Sequence, residues 1–376
     1  MGGYSQKITK VCHIVDSLSI GGLEKIIIEI IFNLKGYEQA VWCLKEKGIL
    51  AQHVEQRGIK VRNFDFGGSL RFSAANRLAS ELKKERFDIV HCHGFFPSIW
   101  GRIAAIMAGI PIRIVHCQNI YYGIPFRERL KFIILTYFTT KIIAVSEAVK
   151  RCLTEYLKIN PHKIVVVYNS ASAITPIEQQ ERVSFRKSLG LGDEDFVVGS
   201  VARLIPIKGH RTLIDAISQC KRFSPQCKCI IVGDGPERER LALQIKGLGL
   251  EGRVLLLGWR RDVHNLLSII DVFVLPSLER EGLPLVLAEA SAAGLPLLVT
   301  DVGGNAEIAK DGFNALHFGV GQPEELAEKI EFLMSNPEER KRMGENSKKI
   351  WKDKFTTEIM LERIDAIYKA SLTATG

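Results

Sequence analysis

Short apolar runs recur along the whole chain, separated by longer stretches in which apolar residues return at helical spacing. In the first half the runs cover 11–15, 40–44, 61–64, 89–92, 113–117, 142–145 and 164–168. Helix-like stretches such as 24–34, 77–85 and 148–157 lie between them. The second half repeats the style, with runs at 196–202, 229–232, 254–257, 272–275, 297–300 and 315–318. The runs are continuous rather than alternating in polarity, as expected of parallel strands covered on both faces. Strands of that kind separated by helices predict an α/β chain of two doubly wound, Rossmann-like domains. A length of 376 residues fits two domains better than one.

The polar stretch 170–180 follows the last run of the first half and contains Pro176, which places the expected boundary there. The predicted domains are 1–172 and 173–355. The final stretch, 356–372, has helical periodicity at Ile359, Ile364, Ile367 and Tyr368. A ligand held between two such domains is expected to face the carboxyl ends of both sheets.

Composition narrows the class. No apolar run reaches the length of a membrane-crossing helix, and the residues before Val11 lack a hydrophobic signal core. The expectation is a cytoplasmic protein. Eight cysteines are scattered without a C-x-x-C pair, so they read as buried reduced thiols. The net charge of +9 is uneven: residues 1–175 hold 24 Lys/Arg against 13 Asp/Glu, whereas the remainder holds 27 against 29. A basic first half suits an anionic partner, whether a membrane surface, a phosphorylated lipid or a nucleic acid.

The most informative stretch is Glu281-Gly-Leu-Pro-Leu-Val-Leu-Ala-Glu289, directly after the apolar run that ends near Pro276-Ser277. Pro284 suits the first position of a helix. Glu281 is then expected in the loop and Glu289 inside the helix, about 7.5 Å up its axis. Between them lies a helix start whose amides suit phosphate, around Gly282, Leu283, Pro284 and Leu285. Carboxylates for sugar hydroxyls and amides for a diphosphate together suit a sugar nucleotide.

Other motifs fall after predicted strands. Arg203 and Lys208, in Val201-Ala-Arg-Leu-Ile-Pro-Ile-Lys-Gly-His210, are placed to clamp a diphosphate, although one Arg and one Lys also suit a solvated loop. Gly233-Asp-Gly-Pro236 lacks the third glycine of a dinucleotide fingerprint, because Arg238 stands there. It reads as a turn with a contact to nucleotide base or ribose. Gly303-Gly304 and Glu307 read mainly as structural, with Glu307 supporting a helix end. Ser19-Ile-Gly21-Gly22 opens a helix after the first run without the Walker ending. It suits either plain helix entry or an approach to phosphate or sugar.

His91-Cys-His93 places two imidazoles on one face of a strand, a spacing that can bind a metal. With no carboxylate nearby in sequence, a non-metal role or plain packing is the favoured reading. His116 is expected at a strand end, placed to orient an acceptor or relay a proton. The stretch 121–138 mixes aromatics, aliphatics and cations, which fits a bilayer interface as well as an ordinary packed helix.

Taken together, these residues resemble the retaining glycosyltransferases of family 4, glycosyl transferases group 1, which have the GT-B fold. The resemblance is strongest over 196–321. It is carried by Arg203…Lys208-Gly209, Gly233-Asp-Gly-Pro, Leu257-Gly-Trp-Arg-Arg-Asp262, Glu281…Glu289 and Val302-Gly-Gly…Glu307, in that order. The first half matches through Gly21-Gly22-x-Glu24, Asp88-Ile-Val-His-Cys-His93 and Val145-Ser-Glu147.

The resemblance implies two Rossmann-like domains with parallel sheets facing across a cleft, the last helix crossing back to the first domain. It implies a nucleoside diphosphate sugar donor, UDP- or GDP-linked. Arg203 and Lys208 would hold its diphosphate, Glu289 the ribose and Glu281 the sugar, with Gly21, Gly22, Gly233 and the Gly282–Leu285 backbone completing the site. It implies catalysis by Glu281, His116, Arg203 and Lys208 with no metal and no cofactor, the cations and the helix end stabilising the leaving diphosphate. Family members often carry a functional His at the end of the fifth strand, and His116 and Gln118 both compete for that slot. The acceptor would be a glycan, a lipid-linked intermediate or a small molecule, and the enzyme would work in the cytoplasm or peripherally at the inner membrane face, without nucleic acid. A GT-B epimerase or hydrolase, and a non-enzymatic membrane or nucleic-acid binding module, are the alternatives.

Overall fold

Continuous burial on both faces turns each apolar run into a parallel strand. The computed structural model describes residues 8–66, 71–175, 177–220 and 226–374. The chain forms two units, one running to Tyr168 and taking back Thr357 onward, the other Asn169–Thr356.

The first unit holds β1 (Thr9–Val15), β2 (Tyr37–Cys43), β3 (Lys60–Asn63), β4 (Ile89–His93), β5 (Ile112–Cys117), β6 (Lys141–Ala144) and β7 (Ile164–Val166). They pair in parallel in the order β3-β2-β1-β4-β5-β6-β7, so the direction of winding reverses between β1 and β4. Helix Gly22–Asn33 buries Ile26, Ile27, Ile30 and Ile31. Helix Thr357–Thr373 belongs to this unit; it buries Met360, Ile364, Ile367 and Tyr368, and its Asp365 accepts a 2.7 Å hydrogen bond from the Tyr37 hydroxyl. Met360, following Thr357, rather than Ile359 lies on the buried face, and Ile359 lies at its edge.

The second unit holds β8 (Phe196–Val201), β9 (Cys227–Val232), β10 (Val254–Gly258), β11 (Val272–Leu275), β12 (Leu297–Thr300) and β13 (Ala315–Phe318). Their order, β10-β9-β8-β11-β12-β13, reverses between β8 and β11. One core layer joins Val198, Ile231, Val274 and Leu298 to Leu213, Ile214 and Ile217 of helix His210–Gln219. The unit begins at Asn169, earlier than the sequence places it, because the linker is tied here. Asn169 Nδ2 donates to the Leu283 carbonyl at 3.2 Å, and the Ala171 carbonyl accepts from Trp351 Nε1 at 2.9 Å. The eight cysteines are free and buried. Among the described residues no helix is long and apolar enough to cross a membrane.

Candidate active site

In a doubly wound sheet, ligands bind where the winding reverses, at the carboxyl ends of the two central strands. In the second unit those ends are the loops after β8 and β11. The β8 loop carries Arg203, which is exposed, and a single turn Pro206–Lys208. The β11 loop carries Ser277 and Glu281 and leads into helix Leu285–Ala293. Leu278 N donates to the Ile207 carbonyl at 2.8 Å, which fastens the two loops together.

Three side chains meet at this junction. Lys208 Nζ lies 2.6 Å from Glu281 Oε1, and the Ser277 hydroxyl donates to the same oxygen. Glu281 is 6% exposed, so the pair is largely removed from solvent. A carboxylate so held is fixed in position and keeps its second oxygen for another partner. Ser277 is itself fixed, since the Thr300 hydroxyl donates to its carbonyl at 2.5 Å and Asn305 Nδ2 donates to the Thr300 carbonyl at 3.0 Å.

Two glycines let the backbones approach. Gly209 has φ +67°, and a Cβ there would lie 1.9 Å from the Pro276 carbonyl oxygen. Gly303 has φ +59°, and its Cβ would lie 1.9 Å from the Glu281 carbonyl oxygen. Gly304 N then donates to that same carbonyl at 3.0 Å. Gly303-Gly304 therefore supports Glu281 from behind.

Glu281 is in the loop and Glu289 is buried inside the helix, as the spacing predicts. Pro284 is one position off: it caps the helix with ψ 119°, and Leu285 is the first helical residue. Leu287 N donates to the Pro284 carbonyl at 3.0 Å, and the earliest amides of the turn lack acceptors within the helix, the usual state of a helix start. Gly282 and Leu283 are buried, Leu283 being held by Asn169. Gly233 has φ +140° and packs against the Ala202 carbonyl, so its glycine character serves the close passage of two loops. The sequence does not reveal the contact between Lys208 and Glu281 or the role of Ser277; the only signal for Ser277 is its place at the end of a buried strand.

In the first unit, Gly21 precedes helix Gly22–Asn33 with φ −178°, an extended backbone open to any residue. His116, near the end of β5, is 1% exposed and lies in a cluster with His13, His91 and His93. His13 pairs in register with His91 across β1 and β4, and His93 with His116 across β4 and β5. Burial pushes His116 down to about 3, with the nearby His13 adding to the effect, so it is a neutral imidazole at pH 7. Gln118, its competitor, is 8% exposed.

A doubly wound unit with a basic loop and a held carboxylate at its switch point has the form of a ligand-binding α/β protein. Two family models match almost end to end, "Glycosyltransferase Family 4" over residues 20–172 and "Glycosyl transferases group 1" over residues 181–350. The chain belongs to this family of glycosyltransferases, and its fold is GT-B. Anabaena HepE, solved in complex with UDP-glucose, superposes with a TM-score of 0.87 at 25% identity, covering 96% of this chain and 99% of that one. The UDP-Gal:alpha-D-GlcNAc-diphosphoundecaprenol alpha-1,3-galactosyltransferase of Escherichia coli is 35% identical over 248 residues, 62% of this chain and 62% of its own length. Spore coat protein SA of Bacillus subtilis is 26% identical over 93% of this chain and 95% of its own.

Proposed function

We propose that this glycosyltransferase moves a sugar from a UDP- or GDP-linked donor onto a lipid-linked or cell-envelope glycan, with retention at the anomeric carbon and with no metal at the diphosphate. The observation that carries the reading is Lys208 Nζ at 2.6 Å from Glu281 Oε1, at the switch point and beside a helix start. Lys208 and Arg203 bring positive charge to the diphosphate, and the backbone of Gly282, Leu283 and Leu285 offers amides to the same group around Pro284, which has none. Glu281 holds the hydroxyls of the donor sugar and Glu289 the ribose. Gly233 lets its loop run close to the nucleotide. Gly21 and Gly22 supply amides of the kind that suit phosphate or sugar oxygens.

As the bond to the sugar breaks, negative charge grows on the leaving phosphate, and the two cations stabilise it. That phosphate takes the proton of the incoming acceptor hydroxyl on the same face, so retention follows without a separate base. His116, buried with both ring nitrogens covered, serves as a positioning group behind the acceptor rather than one that touches it. The UDP-Gal galactosyltransferase and UDP-glucose-bound HepE favour UDP among the nucleotides, and the diphosphoundecaprenol acceptor of the former favours a diphospholipid.

Peripheral membrane attachment is part of the same reading. Helix Phe126–Thr136 and the residues just after it leave Phe126, Leu130, Ile134 and Tyr137 exposed at 74, 45, 50 and 81%. Their spacing puts them on one side of the helix, and Arg127, Arg129 and Lys131 lie among them.

The test is transfer with purified enzyme, a labelled UDP-sugar and a prenyl-diphosphate sugar acceptor. Lys208→Ala and Glu281→Ala should each abolish transfer with an unchanged circular dichroism spectrum. Wild-type turnover in either variant would falsify the site. Release of free sugar or an epimer instead of an acceptor product would point to the hydrolase or epimerase reading. An inverted anomeric configuration in the product removes retention from the proposal. Loss of transfer when EDTA is added with the donor removes its metal independence.

A further inference from the structure

We propose that His13, His91 and His93 form a three-imidazole binding site for a borderline transition cation such as Zn²⁺, inside the first unit and made of none of the residues assigned to the donor. The three rings sit at the winding reversal between β1 and β4, fully buried. One ring nitrogen from each lies within 4.8 Å of the others. His13 Nδ1 and His93 Nε2 are already 3.0 Å apart. Two nitrogens bound to one tetrahedral Zn²⁺ at about 2.05 Å stand about 3.3 Å apart, so this pair needs to open by only a few tenths of an ångström.

The surroundings fix which nitrogen of His13 is available. Gln39 donates its amide nitrogen to the Ile31 and Leu34 carbonyls, at 3.1 and 3.0 Å. Its oxygen must therefore face His13 Nε2, 3.0 Å away, as an acceptor. His13 then carries its proton on Nε2 and presents the Nδ1 lone pair to the cluster. His91 is likewise held at one nitrogen: Nδ1 meets the Tyr368 hydroxyl at 2.7 Å, a group able to donate or accept, while Nε2 is buried without a partner. Ligating histidines are oriented in this way, one nitrogen held by a fixed neighbour and the other turned to the metal.

The cluster as it stands leaves polar groups unmatched. An unpaired buried nitrogen is unfavourable, and His91 Nε2 is one; a cation would give it a partner. His116, with both ring nitrogens also lacking a partner, lies 5.4 Å from His91 and from His93 between ring centres, near enough to sense occupancy. Imidazole binds metal in its neutral form. A ligand set of imidazole alone selects Zn²⁺, Ni²⁺, Co²⁺ or Cu²⁺ over Mg²⁺ and Ca²⁺, which take oxygen.

The experiment uses the full-length protein without a polyhistidine tag, stripped with chelator and titrated with Co²⁺ and, separately, with Zn²⁺ against a chromogenic competitor. One equivalent per chain is expected, with Co²⁺ absorption in the visible and no thiolate-to-cobalt band from the eight cysteines. His91→Ala and His93→Asn should remove stoichiometric binding, and Gln39→Leu should weaken it by about 10–100-fold. No stoichiometric uptake by the folded protein overturns the proposal, as does unchanged affinity in the folded variants. If those variants fail to fold, the wild-type spectrum decides: nitrogen-only bands support the site, and a thiolate band or silence overturns it. Donor binding in the second unit is read independently by UDP titration, so failure here leaves that assignment untouched.

Discussion

Gly209→Ala probes how tightly the site depends on one close backbone contact. Gly209 sits between Lys208 and helix His210–Gln219, at φ +67°. An alanine there first pays for left-handed backbone, about 1–2 kcal/mol. Its Cβ would also stand 1.9 Å from the Pro276 carbonyl oxygen. Ordinary contact begins near 3.4 Å, so the two loops must part by about 1.5 Å. That gap opens between the residue after Lys208 and the residue before Ser277, and Lys208 Nζ and Glu281 Oε1 now lie 2.6 Å apart. A misplacement of this size costs about 10²-fold in rate. The control is Gly249→Ala, at φ +64° with nothing within 4 Å of the added carbon. It carries the same backbone cost without the clash. Stability by urea unfolding, UDP affinity by calorimetry and kcat/KM for transfer would be measured on both. Gly209→Ala should lose about 10²-fold in kcat/KM, and Gly249→Ala should lose stability alone. Equal activity in the two variants would refute the argument that this contact sets the Lys208–Glu281 geometry.

Three further outcomes follow from particular environments. Burial, then the charge of Lys208, lowers His210 from 6.5 to about 4. Between those values the unfolded chain binds a proton that the native one does not, so stability falls as pH drops from 6.5 to 4 and then levels. The His210 share of the loss approaches about 3 kcal/mol; the other buried imidazoles add to the fall, so His210→Leu should lessen the slope of the urea-midpoint profile by about one proton without abolishing it, and an unchanged slope counts against the assignment. Arg186 is buried, donates to the Gly192 and Ile269 carbonyls at 3.1 Å and lies 3.8 Å from Asp271. Arg186→Met should cost about 3–5 kcal/mol in the unfolding of the second unit, and a loss under 1 kcal/mol would contradict this. Phe126→Glu with Ile134→Glu should abolish sedimentation with phosphatidylglycerol vesicles and leave the fold intact by circular dichroism, whereas undiminished binding would remove that helix as the contact.

The sequence by itself determined the strands, their parallel arrangement and the loops that hold the site. Strands such as Phe196–Val201 and Val272–Leu275 are buried on both faces, so each is one apolar run with a polar loop at its end. The spacing of Glu281 and Glu289 about Pro284 was legible for a similar reason, since a helix start is a local matter of φ, caps and rise per residue. Only the tertiary structure decided what those loops touch. Lys208 and Glu281 are 73 residues apart, His13 and His93 are 80 apart, and His91 reaches Tyr368 across 277. Such contacts follow from strand order and from the small radii of Gly209 and Gly303, which local propensity does not encode. The His91-Cys-His93 spacing announced two imidazoles on one face. The order β1-β4-β5 added His13 and His116 to them, because neighbouring parallel strands align side chains that the chain keeps far apart.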